Sequence, residues 1–188
     1  MKFDIIDNFL PEYQCKSLED TVLSSDFQWY FNSKLNVTEK NVIKPKTRNY
    51  LGNYYFYHYA YWRQNPNFPE RGSATSRYLN AFTSILNKLS IPLDNVDRIK
   101  VNLYPRTNQL VHHLSHQDYT SKNQQRFGMR TALYYLNTNN GFTKFDGTFK
   151  RVKSKRNRIV LFDGSNPHHS TTTTNVNYGI SVNYDYQT

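Results

Sequence analysis

The chain has 188 residues, with 24 Lys and Arg against 14 Asp and Glu, a formal charge of +10. That length suits one domain around one core, and the charge favours acidic partners such as nucleic acid or an anionic substrate without establishing either. The single cysteine, Cys15, excludes an intrachain disulfide and a cysteine-only metal site, and there is no apolar run of about eighteen residues to span a membrane.

In chain order, Phe3 to Phe9 reads as a short opening strand, and Pro11 can start a helix whose apolar positions include Cys15, Leu18 and Val22. The N-terminus lacks the apolar middle of a signal peptide, so a soluble, cytoplasmic protein is the expectation. Asn32 to Arg48, rich in Lys and Asn, reads as a surface loop or a lid. Leu51 to Trp62 interleaves aromatic and polar residues as a strand does, and Asn65 to Gly72, with Pro66 and Pro69, reads as a loop. Ser73 is placed to cap a helix with Tyr78, Phe82, Ile85, Leu86 and Leu89 on one face, ended by Pro92.

Beyond Pro92 the alternation is that of strands: Asp97 to Tyr104, Thr131 to Leu136, Phe142 to Phe145, Thr148 to Val152, Ile159 to Phe162 and Tyr178 to Tyr186. The 16 Tyr and 12 Phe, many of them in these runs, favour pleated, half-buried surfaces. Residues 1–188 therefore read as one mainly β domain, with helical support in 1–92 and an antiparallel double sheet over about 96–188. One dense basic cluster, Lys150, Arg151, Lys153, Lys155, Arg156 and Arg158, is either a solvated hairpin face or a nucleic-acid footprint.

Chemistry concentrates in His116-Gln117-Asp118 and in Asn166-Pro167-His168-His169, which follows the apolar run Ile159 to Phe162. Side chains two apart on an extended strand end point the same way, so His116 and Asp118 can converge on one ion while Gln117 faces away. Two imidazoles and a carboxylate form the facial triad of a non-haem Fe(II) site, which leaves positions open for oxygen and a cosubstrate. The second imidazole comes from His168 or, one residue further on, His169.

Several blocks in this order resemble the Fe(II)- and 2-oxoglutarate-dependent oxygenases, in particular the prolyl-hydroxylase-like branch with its small phage and bacterial members. They are Ile5 to Cys15, Lys100-Val-Asn-Leu-Tyr-Pro105, His116-Gln-Asp118, Thr131-Ala-Leu-Tyr-Tyr-Leu-Asn137 with Gly141 to Phe145, Asn157 to Phe162, Pro167-His168 and Ile180 to Tyr184. The resemblance implies a double-stranded β-helix, the cupin-like jelly roll. It also implies a dioxygenase with His116, Asp118 and His168 as iron ligands, Tyr104 lining the site and Tyr135 meeting the distal carboxylate of 2-oxoglutarate. The implied reaction hydroxylates a C–H bond, most readily of a peptide or protein, and turns 2-oxoglutarate and O2 into succinate and CO2. A nucleic-acid substrate and a non-catalytic basic binding module are the alternatives.

The chain departs from that pattern in its last strand. The family carries there an Arg or Lys that pairs with the far carboxylate of 2-oxoglutarate, a contact suited to a guanidinium. Asn177 to Gly179 hold the corresponding positions, and no Lys or Arg follows Arg158. Arg130 and Lys144 are the candidates to supply a cation from elsewhere, although strand alternation sets Arg130 on the face opposite Thr131, Leu133 and Tyr135. Hydroxyls and amides of Tyr135, Thr131, Ser181 and Asn183 could hold the carboxylate instead.

Overall fold

The structure, a computed structural model, describes residues 3–33, 54–63, 74–118, 128–148 and 150–188. The Asn32 to Arg48 segment from residue 34, the loop Asn65 to Gly72, the proposed cap Ser73, and Tyr119 to Phe127 lie outside the described residues.

A short strand β1 (Phe3–Ile6) leads into helix α1 (Glu12–Leu23), which buries Cys15, Leu18 and Val22. Strands β2 (Tyr30–Asn32), β3 (Tyr55–Trp62) and β4 (Ala74–Thr75) precede helix α2 (Leu79–Leu89) and a 3-10 turn at Leu93–Asn95. Then come β5 (Val96–Pro105), β6 (Met129–Tyr135), β7 (Phe142–Phe145), β8 (Arg151–Lys153), β9 (Arg158–Asp163), β10 (His168–Ser170) and β11 (Tyr178–Gln187).

An eight-stranded antiparallel sheet runs β1-β9-β6-β11-β5-β3-β2, with β4 beside β3, and a smaller sheet runs β10-β7-β8. From β5 onward the chain alternates between them. It passes from β5 to a segment bridged to the small sheet at His116 and His168, back to β6, across to β7 and β8, and so through β9 and β10 to β11. This alternation is the double-stranded β-helix, and it gives the molecule the jelly-roll, cupin-like core that the sequence leads one to expect.

Both helices pack on one face of the large sheet. Phe82, Ile85 and Leu86 of α2 join Cys15, Leu18 and Val22 of α1 against Ile99, Val101, Ala132, Tyr134, Val182 and Tyr184. Burying each large apolar side chain contributes about 1.5–3 kcal/mol. The buried phenols on this face keep partners: Tyr134 donates to Asn157 Oδ1 at 2.9 Å, and Tyr184 donates to the Phe82 carbonyl at 3.1 Å. Asn157, at φ 60°, also exchanges two hydrogen bonds with the backbone of Leu10 and so ties α1's entry to the sheet.

Three expectations need correction. Helix α2 begins at Leu79 rather than after Ser73, because Ala74 and Thr75 pair with β3 and Tyr78 stands at the cap. His116 and Asp118 do not sit on a regular strand: His116 makes a single bridge to His168, and Asp118 lies in a bend. Half of the basic cluster is paired with N-terminal carboxylates. Arg156 binds Glu12 and Glu19, while Lys155 and Arg158 bind Asp7, so those three cations hold the molecule together instead of standing free for an acidic polymer.

Candidate metal centre

The bridge between His116 and His168 brings two distant segments to the same point, with reciprocal backbone hydrogen bonds of 2.9 Å. His116 Nε2 lies 3.8 Å from Asp118 Oδ1, and His168 Nε2 lies 3.5 Å from Asp118 Oδ2. One ligand atom from each of the three residues falls within 4.8 Å of the others. Such spacing lets a single ion of about 2.0–2.2 Å bond length sit between them after small side-chain rotations.

Local contacts prepare each group to be a ligand. The Nδ1 atoms of His168 and His116 face the Asn166 and Leu114 carbonyls at 2.9 and 3.3 Å, which fixes Nδ1 as the protonated nitrogen and leaves the Nε2 lone pair for the centre. Burial and the neighbouring His168 push His116 below its usual value, so it is neutral at pH 7. Burial opposes ionisation of Asp118, but His168, Arg98, His116 and the Thr131 hydroxyl together hold it down at about 2. His168 packs against Phe145 and Phe162, which close its side of the centre to water.

The centre spans the two sheets. His168 belongs to the small one, whereas Asp118 is gripped from the large one by Arg98 at 3.2 Å and by the Thr131 hydroxyl at 3.1 Å. Arg98 also holds Asp185 at 2.5 Å, and the Thr131 hydroxyl lies equally near Asp185 at 3.1 Å, so its one proton serves either carboxylate. Burial and the nearby Asp118 push Asp185 up to about 6, even though Arg98 and Thr131 pull it the other way. Arg98 stays protonated despite its own burial because both carboxylates flank it.

Of the two histidines, His168 faces the centre. His169 turns outward, with Nδ1 at 3.1 Å from Asp146 Oδ1 and Nε2 at 3.3 Å from His112. Tyr104 shares the inward face of β5 with Arg98 and packs its ring, tilted by 37°, against His113 at 4.6 Å. Tyr135 is buried on the inward face of β6 and donates to Thr143 Oγ1 at 2.7 Å. Burial pushes the Tyr135 phenol well up, so it remains a donor.

Arg130 and Lys144 are not brought to the centre. Arg130 shares its face with Ala132 and Tyr134, on the helix side of the sheet. Lys144 alternates with Thr143 and Phe145, which point inward, and it pairs with His169 and Arg151 on the outer face of the small sheet. Of Asn177 to Gly179, where the sequence reading looks for a cation and finds none, Gly179 has no room for a long side chain, since even a Cβ would lie 3.2 Å from Asn139 Nδ2.

Arg98, Lys100 and Asp185 belong to this neighbourhood and carry a signal in the sequence. β5 reads Arg98-Ile-Lys-Val-Asn-Leu-Tyr104, with apolar residues at every second position and polar ones between, in a strand buried on both faces. Polar residues on the buried face of a central strand mark a site.

No protein-family model matches the sequence, and no curated protein matches it by sequence. Solved structures do match in fold. A viral collagen prolyl hydroxylase from Paramecium bursaria Chlorella virus-1, in complex with 2-oxoglutarate, aligns at TM-score 0.57 and 16% identity, over 98% of this chain and 95% of that one. A prolyl hydroxylase from Trichoplax adhaerens, bound to a peptide of the hypoxia inducible factor oxygen degradation domain, aligns at 0.55 and 19%, over 98% and 83%. An oxidoreductase of the 2-oxoglutarate-Fe(II) oxygenase family from Burkholderia pseudomallei aligns at 0.64 and 8%, over 98% and 84%. The chain thus has the fold of the 2-oxoglutarate-Fe(II) oxygenases, and a His-Asp-His cluster lies within it. No described helix is long and apolar enough to cross a membrane.

Proposed function

We propose that this chain is an Fe(II)- and 2-oxoglutarate-dependent dioxygenase that hydroxylates a C–H bond of a peptide or protein. The observation that carries the reading is the convergence of His116, Asp118 and His168 between the sheets of this jelly roll. A set of two imidazoles and one carboxylate fits Fe(II) and leaves coordination positions for a keto acid and oxygen. Iron bound there supplies the oxidation that inserts one oxygen of O2 into the C–H bond, the other going into succinate as 2-oxoglutarate loses CO2.

The chain's own residues do the holding and the shielding. The Asn166 and Leu114 carbonyls orient the imidazoles, Arg98 and Thr131 fix the carboxylate, and Phe145 and Phe162 keep water from His168. Tyr104 and Tyr135 lie on the inward faces of β5 and β6, where the cosubstrate would run. A peptide substrate is supported by the peptide-bound Trichoplax enzyme of the same fold. The pairing of Arg156, Lys155 and Arg158 with carboxylates weakens the case for a nucleic-acid substrate.

Anaerobic Fe(II) titration of the wild type and of His116→Ala/Asp118→Ala tests the metal half. The double variant should lose on the order of a hundredfold or more in affinity, beyond what is typical for removing a group that merely supports a ligand. Unchanged affinity rejects the site. For substrate class, the loaded enzyme is given peptide and nucleic-acid pools with 2-oxoglutarate. A gain of one oxygen in the peptide pool is expected, and a gain confined to the nucleic acid transfers the reading to that class.

A further inference from the structure

The inward face of β5 carries two cations in alternate positions, and they are satisfied very differently. Arg98 is flanked by Asp118 and Asp185. Lys100, only 7% exposed, has no carboxylate within ion-pair distance among the described residues. Its ammonium donates to Tyr55 Oη at 2.9 Å and stands 4.8, 5.3 and 5.7 Å from the ring centres of Tyr55, Tyr57 and Tyr59. Rings and one phenol ease the burial of a cation, but they do not neutralise it.

The surroundings of Lys100 are equally unfinished on the polar side. His113, buried with its ring tilted against Tyr104, has an Nε2 without a hydrogen-bond partner among the described residues. Beside Lys100 the strands β5 and β11 present the buried amides of Asn102 and Asn183, joined to each other at 3.2 Å, and the buried side chain of Ser181. A strand rises about 3.3 Å per residue, so the Lys100 backbone lies about 7 Å along β5 from Arg98, the residue that touches the metal-ligand carboxylate. That step leads from the centre towards Asn102 and Tyr104, into the space between the sheets.

We infer that Lys100 receives the second carboxylate of a small keto diacid whose keto acid end is held at the His116-Asp118-His168 centre. The assignment rests on the oxygenase reading and deepens it: the counter-charge comes from β5, the neighbour of the last strand, and not from the last strand itself. Among the described residues, the other candidate cations are spent or averted. Arg130 and Lys144 lie on the opposite faces of their strands, Arg98 already holds two carboxylates, and Lys155, Arg156 and Arg158 bind the N-terminal segment. A carboxylate at Lys100 would complete an ion pair that the free protein leaves half made.

The test uses the full chain loaded with Mn(II) as a redox-inert stand-in for Fe(II), and calorimetry with two acids. One is 2-oxoglutarate, and the other is 2-oxobutyrate, which keeps the keto acid but lacks the second carboxylate. The wild type should prefer the diacid. Lys100→Met should lose ten- to a hundredfold in affinity for the diacid and little for the monoacid, while Lys100→Arg should keep a preference. Arg130→Met and Lys144→Met should behave as wild type. Mn(II) affinity reports whether each variant is folded. Should Lys100→Met fail that check, Lys100→Arg, Arg130→Met and Lys144→Met decide. Loss of the preference in either of the last two overturns the assignment, as does its survival in a folded Lys100→Met. If the wild type binds Mn(II) but neither acid, the oxygenase reading itself fails.

Discussion

The two faces of β5 answer opposite demands with the same backbone. Towards the helices, Ile99, Val101 and Leu103 pack into a large apolar cluster in which each side chain has many neighbours. Towards the small sheet, Arg98, Lys100, Asn102 and Tyr104 meet specific partners one at a time. Dispersion and burial on the first face are distributed, so losing a methyl costs a little. Charges on the second face depend on a named partner, so losing one group strands another in low dielectric. Stability is spread over many contacts on one side and concentrated in a few charge pairs on the other, where the candidate centre also lies.

Breaking the polar side should therefore hurt most. Arg98→Met leaves Asp118 and Asp185 close together without their shared cation, and it should destabilise the metal-free protein by about 3–5 kcal/mol, read from denaturant midpoints. A loss below 1 kcal/mol would mean that the carboxylates share a proton easily and that the contrast between the faces is overdrawn. On the apolar side, Ile99→Val should cost about 0.5–1.5 kcal/mol and leave Mn(II) affinity unchanged, because the neighbours of Ile99 are α1, α2 and other core residues. A change in metal affinity from that substitution would show the two faces to be mechanically coupled.

Legibility in the sequence followed the same division. Periodicity found α1 by Cys15, Leu18 and Val22 and found the strands of the jelly roll, since burial on the helix face repeats along the chain. It misplaced the start of α2, because pairing of Ala74 and Thr75 with β3 is a tertiary event that local capping signals do not encode. The candidate metal set was visible as His116, Asp118 and His168, since those residue types at that spacing are chemically unusual. What stayed open was His168 against His169, which depends on which neighbour faces inward across β10 and β7. Arg98 and Lys100 were written in the alternation of β5, yet the sequence reading turns to Arg130 and Lys144, on β6 and β7, for the cation.

The smallest expected effect is also the most specific to Lys100. Burial and the charge of Arg98 lower its pKa from 10.5 to about 7, while Asp118 and Asp185 pull only weakly the other way. Facing it are Tyr55, Tyr57 and Tyr59 from β3, Arg98 from its own strand, Asp185 from β11 and Asp118 from the loop. Between about pH 7 and the unfolded value, the unfolded chain keeps a proton that the folded one has released, so the stability of the ligand-free protein should rise with pH. Below about pH 7 both states hold the proton, and the folded state bears the full cost of a buried cation. Above about pH 9 the rise should reverse, because burial raises the Cys15 thiol and the phenols of Tyr55, Tyr134, Tyr135 and Tyr184, and those groups keep their protons longer when folded. Urea midpoints between pH 7.5 and 8.5, above the range in which the histidines lowered by burial (His58, His112, His113, His116 and His169) add their own rise, should climb for the wild type and stay nearly flat for Lys100→Met. Saturating Mn(II) and 2-oxoglutarate should flatten the wild-type slope too, since an ion pair at Lys100 restores its proton. A slope that persists in the variant would assign the titration to another group and leave Lys100 a merely packed side chain.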